Sequence, residues 1–462
     1  MTTWEDLDNN SNNSLDNKKA NICLMEDVES DVIDIEAQDS SSSFPNATLA
    51  KKFFKILFYL HLLLIAVLVI YLTIYGLVYA FHTYHLYPKQ WYWYPPLLIA
   101  TLCGGIVGLT WQWITARSPT MAIRAAFCLS PLLTSAVGFL FVYIGSSPSL
   151  AVGIVALVSA LIQSLYGFWV IPRFDYANRI LSVSIADPPT KSMRLAFYST
   201  LIGILYCCFL VCGIGGARAI EDRAIVTALF ILVILMSLSW TMQFLKNVMQ
   251  VTISRVKYMH LSGGVIMDTS VALHDTVEYQ TGSVSFGSML VPLITLLRGS
   301  ARLTSLVGGD TDELMFAYAS CYMELASLLV ACGNRWGFVH VGVYNKEFVK
   351  ASSDTWDIFN RVGLKQLIDL DLTGSFCFLS GVAGGAMCGL VSGIWSIVIQ
   401  KSYATEISIY AFLIGYFIFR LAMSWPQACV SAYYVAYAEH PQSTQFDSTI
   451  PVRLEELRRS QA

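Results

Sequence analysis

Apolar runs longer than 18 residues, nearly free of charge, recur along this 462-residue chain. A helix of about 20 residues crosses the roughly 30 Å hydrocarbon core of a bilayer. In lipid every backbone N–H and C=O needs an internal partner, which restricts spanning structure to helices and closed barrels. Runs of this length suit helices, so the sequence predicts an all-α polytopic membrane protein. Ten spans can be marked, at 53–81, 95–115, 121–144, 149–171, 195–216, 224–250, 283–304, 314–342, 373–398 and 405–437. The seventh and eighth are weaker, broken by Pro292, Gly299, Gly333 and charged residues. Interrupted spans are where transporters tend to place their sites. The chain is 55% hydrophobic and only 13% charged, against about 25% charged in soluble domains. That balance excludes a soluble enzyme, a disordered scaffold and a nucleic-acid binder.

Charge then orients the spans. Residues 1–50 carry eleven acids against Lys18 and Lys19, and residues 51–462 carry 21 acids and 27 bases. Residues 1–50 are expected to be a disordered acidic cytosolic tail, since few large apolar residues are available to order them. Residues 51–441 would form the ten-helix transporter domain, and 442–462 a short cytosolic tail. Lys51, Lys52, Lys55, Arg173, Arg179, Lys191, Arg194, Lys346, Lys350, Arg361, Lys365, Arg453, Arg458 and Arg459 fall on one side. Lys89, Arg218, Arg223, Arg302 and Lys401 fall on the other. Cytoplasmic loops hold the excess of Lys and Arg, so both termini are predicted cytosolic. The first apolar run follows an acidic tail, so no signal peptide is expected. The segment 345–370 is expected to lie along the membrane surface.

Most of the eleven cysteines lie in apolar runs and behave as small hydrophobes. No C-x-x-C pair, H-E-x-x-H helix, G-x-S-x-G elbow or Walker A loop is present. No enzyme, metal or cofactor is expected. Trp91 to Tyr94 read as an interfacial aromatic belt, as do His82 and His85 without an acid beside them. Gly381, Gly385, Gly389 and Gly393 recur every four residues, and Gly104 and Gly108 do the same, giving helix faces that allow close approach.

Three polar stripes stand out inside apolar runs. Trp240, Gln243, Asn247, Gln250 and Ser254 share one face of span six, with Lys246 read as snorkelling toward the surface. Arg420, Ser424, Gln427, Ser431 and Tyr434 share one face of span ten, with Pro426 expected to kink it. Ser320, Glu324, Ser327 and Asn334 share one face of span eight. Buried amides and charges need partners, so these faces are expected to line a shared polar cavity or to hold the bundle together by hydrogen bonds. Glu324 is the one acid well inside a span and a functional candidate on that ground. Its partner is either Arg420 or a positively charged substrate.

From span six onward the sequence resembles the choline transporter-like family, in its short-loop fungal and plant branch. Trp240-Thr241, Lys246-Asn247-Val248 and Val251-Thr252 come first. Gly282 to Ser288 reads G-S-V-S-F-G-S, similar to the family's G-S-x-x-F-G-S, with Arg298 downstream. Asn334 to Phe338, Val343 to Phe348, Phe376 to Leu379 and Tyr437 to Pro441 resemble later family elements. Ser375 and Val382 stand where the family carries an Asp and a Lys. The resemblance implies facilitated or ion-coupled movement of choline or a related small organic cation, at the plasma membrane or an endomembrane. A quaternary ammonium has no N–H donor, so it is held by aromatic faces and a counter-charge. The substrate-pathway candidates are Trp240, Gln243, Asn247, Tyr318, Tyr322, Glu324, Asn334, Gln427 and Tyr434, with Tyr433 a further aromatic. The alternatives are a lipid-headgroup scramblase and a non-transporting membrane scaffold. The partners expected are the organic cation and membrane lipids, with no nucleic acid.

Overall fold

The computed structural model describes residues 45–82, 92–186, 190–218, 224–293 and 333–461. All regular structure among them is helical. In chain order the helices are α1 (Pro45–His82), α2 (Tyr94–Arg117), α3 (Pro119–Ile144), α4 (Ser147–Val170), α5 (Phe174–Ala186), α6 (Thr190–Ala217) and α7 (Ala224–Gly263). They continue with α8 (Thr269–Tyr279) and α9 (281–293). The last group is α10 (Gly337–Tyr344), α11 (Phe348–Val362), α12 (Lys365–Asp369), α13 (Thr373–Gln400), α14 (Ala404–Ala422), α15 (Ser424–Glu439) and α16 (Thr449–Gln461). Among the described residues seven stretches are long and apolar enough to cross a membrane, and the last, Lys365–Ala422, contains both α13 and α14. The protein is thus a multi-pass membrane protein.

The first six expected spans correspond to α1, α2, α3, α4, α6 and α7. The seventh begins in α9; its remainder and most of the eighth, including Tyr318, Tyr322 and Glu324, lie outside the described residues. The tenth differs from expectation. The helix breaks at Met423 (φ −85°, ψ 7°), and Pro426 falls in the first turn of a new helix, α15. In a first turn proline's missing N–H costs nothing, so Pro426 helps to start a helix instead of kinking one. The stripe from Arg420 to Tyr434 therefore runs across two helices.

Lipid-facing surface is plain on α1 and α4. Leu63, Leu64, Val67, Ile74, Leu161, Ile162, Leu165 and Phe168 are all exposed. A helix that shows apolar side chains outward sits in hydrocarbon, where such exposure carries no penalty. The interior is built by glycine. The α13 row Gly381, Gly385 and Gly389 meets Arg420, Phe412 and Ser408 of α14, and Gly384 meets Phe419. Gly216 on α6 lies so close to α1 that a Cβ there would stand 2.2 Å from the Leu72 carbonyl oxygen. Small residues at these points let the helix backbones approach.

At one end of the bundle α5, α10–α12, α15 and α16 form a compact layer around the far half of α7. Lys51 Nζ donates to Asn345 Oδ1 at 3.1 Å and Lys55 Nζ to the Glu278 carbonyl at 2.8 Å, so the start of α1 reaches this same layer. At the opposite end Arg218 pairs with Glu406 and lies 4.4 Å from the Trp93 ring centroid. Trp93 is buried under that guanidinium and against Tyr403, so it is part of the core and not of an interfacial belt. The amphipathic segment 345–370 folds as α11 and α12, whose apolar face, with Phe348, Ala351 and Phe359, is buried against protein.

Candidate functional site

An aromatic seam runs between α1 and α7. Phe58 stacks on Phe244 with centroids 3.9 Å apart, and Trp240 lies 5.6 Å from Phe58 and 4.6 Å from His61. Phe54 meets Phe286 of α9 at 4.7 Å, which continues the seam. Spacing explains the register: Phe54, Phe58 and His61 fall at i, i+4 and i+7 on α1, and Trp240, Phe244 and Asn247 at i, i+4 and i+7 on α7. The two faces therefore meet along about two turns. One edge of the seam is polar. His61 Nε2 lies 3.0 Å from Ser237 Oγ, which lies 2.7 Å from Tyr206 Oη. The Trp240 indole N–H is buried without a hydrogen-bond partner among the described residues.

The other described candidates disperse from this seam. Asn247 Nδ2 donates to Ser288 Oγ at 2.9 Å, which ties α7 to the G-S-V-S-F-G-S helix α9. Gln250 Nε2 donates to the Arg335 carbonyl at 2.8 Å. Gln243 is half-buried. Asn334 caps α10: its Oδ1 accepts the Gly337 N–H at 2.9 Å while its Nδ2 donates to the Ser352 carbonyl. Tyr434 is fully buried, its hydroxyl 2.9 Å from that of Tyr176 on α5. Gln427 is buried with its Oε1 unpartnered among the described residues.

A cluster of charge lies where α7, α13 and α14 converge. Asp371, its side chain fully buried, pairs with Arg335 and accepts the Thr373 N–H and hydroxyl at 3.0 and 2.7 Å. Lys246 is 5% exposed and does not snorkel to the surface. Its charged neighbours are Arg420 and Arg335. Leu421 of α14 and Met242 of α7 both press on Gly203, which brings the two helices together beside this cluster. Neither Lys246 nor Arg420 has an acidic partner among the described residues.

A second polar knot closes the inner layer. Glu439, at the end of α15, accepts hydrogen bonds from Tyr258 and, at 3.1 Å, from Tyr344, while His340 Nε2 lies 3.0 Å from its other oxygen. Burial alone would raise this carboxyl; the His340 contact and the two hydroxyls outweigh it and hold Glu439 below the usual carboxylate range. The knot backs a pocket of about 530 Å³ that Lys346, Asp354 and Arg361 also line.

A family model described as plasma-membrane choline transporter matches residues 154–442. The match covers more than half of the 462 residues. The chain belongs to the choline transporter-like family. Among its relatives is the protein pns1 of Aspergillus fumigatus, 25% identical over 329 residues, 63% of this chain and 60% of the relative. A CTL-like protein of Dictyostelium discoideum is 23% identical over 303 residues, 63% of this chain and 53% of the relative. A PNS1 protein of Gibberella zeae is 25% identical over 216 residues, 44% and 40% respectively. The chain thus spans from less than half to three fifths of the length of these curated relatives. The matched region contains Trp240, Lys246, Glu439 and the glycine face of α13, while the α1 side of the seam precedes it. Phe58, His61 and Phe244 were hidden from sequence reading inside apolar runs; their i, i+4, i+7 spacing was the available signal. Asp371 stands four residues before Ser375, the position at which the resemblance expects an acid, and His340 is masked by the apolar run around it.

Proposed function

We propose that this chain carries choline or a related small organic cation across a membrane, the plasma membrane first among those it suits. Family membership makes a membrane transporter the frame, and the aromatic seam supports the cation. Trp240 and Phe244, both half-buried, would offer faces to a quaternary ammonium, each contact worth roughly 0.5–2 kcal/mol, with Phe58 packed behind them. Lys246 stands about 120° around α7 from Trp240, so its charge is turned away from the seam. Gln243, Asn247 and Gln427 would extend the path, and Tyr318, Tyr322 and Glu324 remain its candidates on sequence grounds. The clustering of Lys51, Lys55 and Lys346 at one end supports the reading that this end faces the cytosol. Protease protection of terminal tags in intact cells tests that orientation.

A second reading, movement of lipid headgroups, is favoured by one observation: α1, which forms half of the seam, turns Tyr59, Leu60 and Leu63 outward to lipid. Uptake of radiolabelled choline into liposomes containing the purified chain separates the two. The carrier reading expects saturable uptake that Trp240→Leu weakens about tenfold with an unchanged melting temperature. Flipping of fluorescent lipid without choline uptake overturns it. Glu324→Gln is expected to weaken uptake if Glu324 faces substrate, or to lower stability if it pairs with Arg420.

A further inference from the structure

We propose that the pocket backed by Glu439 is a second cation site, in which a small quaternary ammonium takes the place that the Lys346 side chain holds in this structure. This deepens the carrier reading and rests on it: the pocket lies at the end assigned to the cytosol, where the carried cation would dwell before release. An ammonium already stands in the required position. Lys346 Nζ is 5.3 Å from the centroid of the Tyr344 ring, within the roughly 6 Å over which a ring face attracts a cation. The same nitrogen donates to Asp354 Oδ2 at 2.8 Å. Two features put it there. Asn345 has φ 49°, a left-handed conformation that asparagine adopts more readily than most residues. It turns the chain between α10 and α11 and folds Lys346 back over the ring two positions earlier. Lys51 on α1 donates to the Asn345 side chain at 3.1 Å and braces that turn. A compact charge on a flexible four-carbon stem is thus a tethered cation on an aromatic face, free to leave it.

The rest of the lining selects the ligand. Around a volume of about 530 Å³ stand three carboxylates, Asp354, Asp357 and Glu439, against two bases, Lys346 and Arg361. With the His340 imidazole neutral, one negative charge is in excess, which a monocation cancels. The acceptors at the back are engaged: Glu439 by Tyr258, Tyr344 and His340, and Asp354 by Lys346. A ligand rich in N–H donors would find few partners there. A quaternary ammonium has no N–H to satisfy and needs only the ring face and the field of the acids. His340 is 1% exposed and lines the same space, with Nδ1 unpartnered among the described residues. Because Nε2 faces the Glu439 carboxylate and carries the proton, a neutral ring presents Nδ1 as an acceptor, fit for the hydroxyl of a choline-like ligand. Competition from the tether weakens the ligand in proportion to the time Lys346 spends on the ring.

The test reads the pocket itself and not flux. Ile358 lines it. In a full-length, detergent-solubilised Ile358→Cys chain, alkylation at position 358 is followed by peptide mass spectrometry at rising choline concentration. Choline is expected to slow that reaction. Adding Lys346→Gln should lower the half-protecting choline concentration by about tenfold, the factor for a site that the tether fills about nine-tenths of the time. Arg361→Gln removes the same charge from the lining but vacates no ring face, so its shift should be far smaller. Tyr344→Leu should abolish protection, and Tyr344→Phe, which keeps the ring, should preserve it. Equal shifts for Lys346→Gln and Arg361→Gln, or no protection by choline in any chain, overturn the inference. Should the Tyr344 variants fail to fold, the Lys346 and Arg361 pair still decides. Choline uptake into liposomes beside an unprotected pocket overturns the inference and leaves the carrier reading standing. Protection in a chain that moves no choline upholds the site and overturns the carrier reading.

Discussion

Helices α4 and α15 make an instructive pair. Along the 24 residues of α4 only Ser149, Gly153, Ala160 and Val170 are buried. Along the 16 residues of α15 every residue from Ser424 to Ala438 is buried. Yet α4 is the more apolar of the two, and α15 carries Ser424, Gln427, Ser431 and three tyrosines. In water the order would be reversed. Here the apolar helix faces hydrocarbon, and the helix with hydroxyls and amides must be wrapped by protein that can answer them. Polarity inside a long apolar sequence therefore marks the protein's interior.

The comparison is broken or sharpened by substitution. Glu439→Ala removes the acceptor for Tyr258, Tyr344 and His340 at the end of α15, and breaking such a buried group is expected to cost about 3–5 kcal/mol. A detergent melting curve should register it as the largest drop of the set, whereas Leu165→Ala on the lipid face of α4 should move the midpoint little. Equal shifts would erase the distinction between the two regions. Gly216→Ala comes next. Its new methyl would meet the α1 backbone at Leu72, and such overpacking costs about 1–3 kcal/mol. Gly167→Ala on α4 meets only Phe127, at 3.9 Å. That change should be neutral or stabilising by about 0.5–1 kcal/mol, as alanine is preferred within helices. Tyr434→Phe strips the hydroxyl facing Tyr176 and is expected to cost about 1 kcal/mol, read from the same curves with uptake measured alongside.

Acid gives the smallest and most specific effect. Glu439 is held below the usual carboxylate range, so its contribution is full above the unfolded carboxyl value of about 4.3 and is lost as pH falls through the folded value. Melting temperature should therefore decline on acidification below about pH 4. The Glu439→Gln chain should lose part of that slope; an unchanged slope would assign the acid sensitivity to other carboxylates.

Helix class, most span positions and the glycine contact between α13 and α14 were legible because each depends on local pattern. The stripe on α7 was legible as a polar face, but Trp240, Asn247 and Gln250 answer three different neighbours, and a helical wheel cannot say which. The break at Met423 was not legible, because nothing in the sequence from Tyr416 to Gln427 separates a proline that kinks a helix from one that opens a new helix. The seam was half-legible: Trp240 stands out, while Phe58 and Phe244 read as ordinary lipid-facing residues until α1 and α7 are paired. Lys246 misled, since a lysine near a span end usually reaches the surface, whereas here the side chain is buried. Arg420 packs along Gly381 of the neighbouring helix: the spacing of the glycines announced this contact between α13 and α14 but not its partner.

Helix α7 is 40 residues long, about 60 Å at 1.5 Å per residue. It carries Trp240 near its middle and Tyr258 near its end, about 27 Å apart along one unbroken rod. A tilt of 5° about the level of Trp240 would carry the Tyr258 end through roughly 2 Å by that geometry, close to the span of one hydrogen bond. A tilt of α7 at the level of the seam is therefore, by geometry alone, a displacement at the Tyr258–Glu439 hydrogen bond, and the length of the helix sets the gearing.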